Sequence, residues 1–141
     1  MVGPGASGET ESRHAGGDIR GNVSRRVVQL YKEFYGRGPE KAKTYYNGDL
    51  VVVLMRGGFT RVEETLLKGG RGASVIQQRA DFQEVMVDRF IEVIEQETGR
   101  KVIAMMSGSH QQPDLLGEMF VLESSEVLMD EPAPDSTPDA E

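Results

Sequence analysis

The chain has no cysteine and no tryptophan, and it has only two histidines. Without cysteine there is no disulfide, no thiolate nucleophile and no Cys-ligated metal. That composition suits the cytoplasm. His14 and His110 have no second histidine at metal-ligand spacing, and the acids show no EF-hand pattern. The longest apolar run is LVVVLM, residues 50–55, far short of the roughly 20 residues of a membrane helix. The opening MVGPGASGETES has no apolar stretch of the signal-peptide kind. The sequence thus predicts no metal, no cofactor and no membrane span.

Reaction-centre patterns are also missing. Ser107, Gly108, Ser109 and His110 set hydroxyls beside an imidazole, but only a loop turning back would let Asp114 orient that ring. A Ser/Gly turn is the ordinary account. Gly69-Gly70-Arg71-Gly72 opens a helix yet lacks the Lys-Ser/Thr of a phosphate loop, and Gly36-Arg37-Gly38-Pro39 follows a helix instead of a strand. Glu63-Glu64 and the row Glu84, Asp88, Glu92, Glu95 read as solvated helix faces. No catalytic residue is assigned.

What is present is organisation. Residues 1–18 are rich in Gly, Ser and charge, and residues 126–141 hold three prolines and six acids. Neither has the apolar content to offset its ordering entropy, so both are expected to be disordered tails around one domain at 19–125. The net charge of −7 is concentrated in them, since 19–125 holds 15 basic and 14 acidic groups. Residues 20–43 form a basic first quarter, with Arg25, Arg26, Lys32, Arg37, Lys41 and Lys43 near Tyr31, Tyr45 and Tyr46. A solvated helix face is the ordinary reading. The sharper one is a patch for an anionic partner, shielded in cis by the acidic tail. Nucleic acid is a further alternative, not favoured, because Tyr31 lies on the apolar stripe and no RNA-binding motif is present.

Val23, Val27, Leu30, Tyr31 and Phe34 predict a helix over about 20–35, closed by Gly36 and Pro39. Asn47-Gly48 between apolar runs predicts a hairpin with a type I′ turn. The second strand, 50–55, lacks polar alternation and is expected to be central and covered, at least in part, on both faces. Thr60 and Glu63 form a capping-box pattern for a helix at 61–68. A long helix is expected over 73–98, with Val75, Phe82, Val85, Met86, Phe90, Val93 and Ile94 on one face. Strands at 102–107 and 117–123 follow. Both halves read helix, Gly-Arg, hairpin, the pattern of a degenerate repeat. The expected fold is α+β: a two-layer, four-stranded, mainly antiparallel sheet of two hairpins, with about three helices mainly on one face.

Arg79 lies on the apolar stripe of the long helix and needs a partner. Glu63 or Glu64 serves if the two helices fold back, as a structural ion pair. Otherwise Arg79 grips a ligand carboxylate or phosphate. Arg37, Lys41, Arg71 and Arg79 are the candidates for anion or partner binding.

YKEFYGRGPEKAKTYYNGDLVVVLMRGGFTRVEETLLKGG, then Arg79, ETGRKVIAMMS and EMFVLE, together resemble the MpsC-like domain of unknown function. That family is named for a sodium-translocating, membrane-potential-generating system in bacteria. The linked features are Gly-Arg-Gly-Pro after the first helix, an apolar strand before Thr-x-x-Glu, and Thr-Gly-Arg-Lys-Val after the long helix. The resemblance implies a bacterial protein acting beside a membrane system, and it brings no catalytic residues. The reading is an accessory or regulatory module that binds a protein partner, a membrane transport system among the candidates, and forms homo-oligomers. The alternative is a sensor for nucleotide, phosphate or bicarbonate.

Overall fold

The computed structural model describes residues 15–124; the expectations for residues 1–14 and 125–141 lie outside the described residues. The first helix, α1, spans Ala15–Tyr35. It begins earlier than its apolar stripe suggests, with Asp18 in its first turn complementing the helix dipole. Strands β1 (Lys41–Asn47) and β2 (Leu50–Arg56) form the first hairpin. Asn47 pairs with Leu50, so the turn is Gly48-Asp49, one residue later than expected. Gly48 has φ 60°, and among the described residues no non-glycine residue has positive φ. Only the first central position therefore needs left-handed backbone, and Asn47 joins the strand instead of the turn.

Helix α2 (Arg61–Lys68) starts with both capping-box bonds, Glu63 N–H to Thr60 Oγ1 at 3.1 Å and Thr60 N–H to Glu63 Oε1 at 2.9 Å. The expected long helix is two, α3 (Gly72–Val85) and α4 (Val87–Thr98), making four helices in the described residues. The break falls at Met86, with φ −90° and ψ 1°. The stripe shifts with it: Met86 is buried, whereas Val85, expected on the core face, is 80% exposed. No glycine or proline marks residues 83–89, so composition gives no sign of this break. Gly99 closes α4 in the left-handed region at φ 70°.

Strands β3 (Val102–His110) and β4 (Leu115–Leu122) form a second hairpin, longer than its apolar content suggests. The sheet order is β1-β2-β4-β3, antiparallel throughout. Each hairpin gives its second strand to the centre, and β1 and β3 are the edges. The sheet's inner face carries Val51, Val53 and Met55 from β2 and Leu116, Phe120 and Leu122 from β4, all buried. Val23, Val27 and Tyr31 of α1 and Phe90, Val93 and Ile94 of α4 pack into the same core. Tyr31 and Phe90 stack with ring centroids 5.7 Å apart, and Phe82 lies 4.7 Å from Tyr35. Each such ring contributes a few kcal/mol through burial.

Candidate functional site

Two features stand out: a buried polar network inside the sheet–helix core, and an apolar sheet face outside it.

The network begins at Arg79. The helical period of α3 places Val75, Arg79 and Gln83 on its buried side. The Arg79 Nε donates to Glu63 Oε2 at 2.9 Å, and Nη1 donates to Asp114 Oδ1 at 2.8 Å. Phe59 lies over the guanidinium at 4.2 Å. One cation thereby joins α2, α3 and the β3–β4 loop. Burial works to raise the Glu63 carboxyl, but hydrogen bonds from Arg79, Tyr35 and Thr60 outweigh it, and the group is held below the usual carboxylate range. Burial likewise works against the charged Arg79, and Glu63 and Asp114 more than offset it. Tyr35 donates to Glu63; burial first, then that carboxylate, push the phenol up to about 12. The second oxygen of Asp114 is buried and has no hydrogen-bond partner among the described residues.

A second polar cluster lies under the sheet. Glu118 stands at an inward position of β4, between Leu116 and Phe120, and is 0% exposed. Tyr31 donates to it at 2.6 Å, Gln83 Nε2 donates at 2.8 Å, and Ser107 also donates. Burial raises the Glu118 carboxyl, and these donors only partly counter it. Tyr31 is raised in turn, by burial and then by Glu118. Period-2 counting from Leu116 through Phe120 to Leu122 is the sequence signal that places Glu118 inside. It passes unnoticed without the register.

The other candidates are dispersed. Asp114 turns to Arg79 and not to His110, whose Nδ1 lies 2.8 Å from Pro113 O; Ser107 faces Glu118. Arg37 donates to Phe59 O at 2.7 Å and lies 3.4 Å from Glu40. It borders an open depression of about 510 Å³ shared with Tyr35, Thr60, Arg61 and Gln78. Arg71 is exposed at the start of α3. In the basic first quarter Arg26 pairs with Glu97 at 3.0 Å and Tyr31 is buried, so neither belongs to a stacking surface.

Lys41 lies on the outer sheet face, which sequence reading did not foresee as open. Strand register gives its pattern. Tyr45, Val52, Met119 and Met106 form one cross-strand row, and Asn47, Leu50, Val121 and Ala104 the next. Toward the opposite end come Lys43, Leu54, Gly117 and Gly108, then Lys41, Arg56, Leu115 and His110. Tyr45 is 46% exposed, Leu54 39% and Met106 55%. The expected cover of β2 is only partial on this side: Leu50 and Val52 are half-buried and Leu54 is exposed. Its apolar residues at alternate positions meet solvent. No acid stands in these four rows. A depression of about 550 Å³ at the basic end is lined by Glu40, Lys41, Ala42, Lys43, Leu54, Arg56 and Leu115.

The sequence model of the family described as the Na+-translocating membrane potential-generating system (MpsC) matches residues 16–124. The chain belongs to the MpsC family. Among curated relatives it is 29% identical, over 87 residues, to "Uncharacterized protein YbcI" of Bacillus subtilis (strain 168), covering 61% of this chain and 70% of that one. No solved structure matches. Among the described residues no helix is long and apolar enough to cross a membrane, and no group of three or more His, Asp or Glu could hold a metal ion.

Proposed function

We propose that this MpsC-family chain is a non-catalytic accessory or regulatory protein of the cytoplasm. It acts by docking the outer sheet face on a protein partner, a component of the membrane system for which the family is named. The carrying observation is the uncovered apolar face with a basic end and no acid in its four rows. Contiguous exposed apolar surface of this kind marks interaction sites. The charge pattern fits a partner surface that is apolar with an acidic border. The edge strand β3, with Ile103 48% exposed, supplies a route to self-association by strand pairing. Arg79 and Glu63 serve as a structural pair in this account, since the protein's own carboxylates occupy the guanidinium. The test is recovery of a complex from the native host by wild type and by Leu54→Glu/Met106→Glu. Loss of the complex in the variant with its melting temperature kept is the expected result. Equal recovery by both would remove this face from consideration.

A second reading has one observation behind it. Arg37 and Arg61 flank the depression beside Tyr35 and Gln78, an arrangement suited to a small anion such as phosphate, bicarbonate or a nucleotide. A ligand that binds only the folded state raises the melting temperature. No rise with any of these anions at millimolar concentration would dispose of this reading.

A further inference from the structure

We propose that the open sheet face is occupied in cis by the chain's own segment 126–141, which a docking partner must displace. This rests on the reading of that face as the docking surface. Strand β4 is central, and its last pairings, Leu122 N–H to Asp49 O and Glu123 N–H to Lys101 O, place the chain's exit at the apolar end of the face. The following sequence is SEVLMDEPAPDSTPDAE, apolar first and acidic after. The face runs in the same order from that exit: first the rows of Val121, Met119 and Met106, then Lys43, and last Lys41 and Arg56. A segment folding back along β4 sets Val127, Leu128 and Met129 on the apolar rows. The acids that follow, from Asp130 through Asp135 to Asp139, then run toward Lys43 and Arg56.

Reach agrees with this. Ser124 lies nine residues along the chain from Leu115, about 30 Å at strand rise, so a return to the Lys41–Arg56 row takes about nine extended residues after the chain reverses. Residues 125–141 supply seventeen. Charge agrees as well: segment 126–141 has six acids and no base, opposite a face with bases and no acid in its rows. Gly117 and Gly108, side by side on β4 and β3, leave the middle of the face without side chains and open to a crossing strand.

The absence of cysteine makes the test clean. A nitroxide is attached to the full chain at Ser136→Cys, and paramagnetic broadening of backbone amide signals is measured at low salt. The proposal expects Leu54, Arg56 and Leu115 to lose more than half their intensity. It expects Lys43→Glu/Arg56→Glu to restore that intensity, and added salt to weaken the broadening. Broadening confined to the residues next to Ser124 overturns the proposal. So does broadening that appears equally when labelled and isotope-enriched chains are separate molecules, which would assign the face to a second copy. If the face variants lose the partner while no broadening reaches the face, the docking reading survives and the cis contact fails.

Discussion

The two faces of one sheet are treated in opposite ways. The inner face is covered by helices and yet carries an ionisable group: Glu118 is wholly enclosed, and Glu63 and Arg79 are buried nearby. The outer face is open and yet mostly apolar across its central rows. Burying charge costs free energy unless every group is paired, and exposing apolar surface forgoes its burial. Each face thus departs from the simplest rule at a stated cost. Inside, the donors around Glu63 outweigh the cost of its burial, those around Glu118 offset part of it, and together they fix how helices and sheet meet. Outside, nothing in the described residues offsets it, which is why contact with another surface is the account of that face.

The comparison breaks most readily on the inside. Arg79→Ala leaves Glu63 and Asp114 buried without their cation and should cost about 3–5 kcal/mol in urea unfolding. A loss under about 1 kcal/mol would mean that the network is incidental. The pH dependence of stability should be two-sided. Glu118 is raised in the folded state, so its neutral form is favoured there, and its contribution falls as pH climbs from the ordinary carboxylate range toward its folded value. Glu63 is lowered, and its contribution is present above the ordinary range and lost as pH falls through its folded value. Glu118→Gln should therefore flatten the loss on the alkaline side and leave the acid side alone. An unchanged alkaline limb in a pH series of melting curves would contradict that.

A smaller effect belongs to the N-terminus of α2. Thr60→Ala removes one capping-box bond and should cost about 1 kcal/mol. The cap also positions Glu63 for Arg79, so Thr60→Ala and Arg79→Ala should be less than additive in a double-mutant cycle. Strict additivity would separate cap from network. The smallest stability change is expected outside: Leu54→Glu/Met106→Glu should shift unfolding by less than about 1 kcal/mol, as surface substitutions generally do.

Much of the architecture was legible because it rests on local chemistry. Thr60 and Glu63 announce a capping box, Gly99 a left-handed close, and the runs flanking Gly48 a hairpin. What was not legible depended on long-range register. The break at Met86 carries no glycine or proline. Glu118 looks like a surface acid until β4 is aligned with β2 and β3. The run LVVVLM satisfies two arrangements equally, a strand with two covers and a strand with one cover and a sticky outer face, because apolar residues at every position carry no alternation to read. Arg79 stood out because a cation sits poorly on an apolar stripe. That its two partners would come from α2 and the β3–β4 loop together was set by the fold.

The most direct measurement is native mass spectrometry of the protein from its own host, wild type beside Leu54→Glu/Met106→Glu. The account predicts a protein complex in the wild type that the variant loses while its melting temperature holds. A complex retained by the variant, or a wild-type monomer carrying only a few hundred daltons of small molecule, would contradict it.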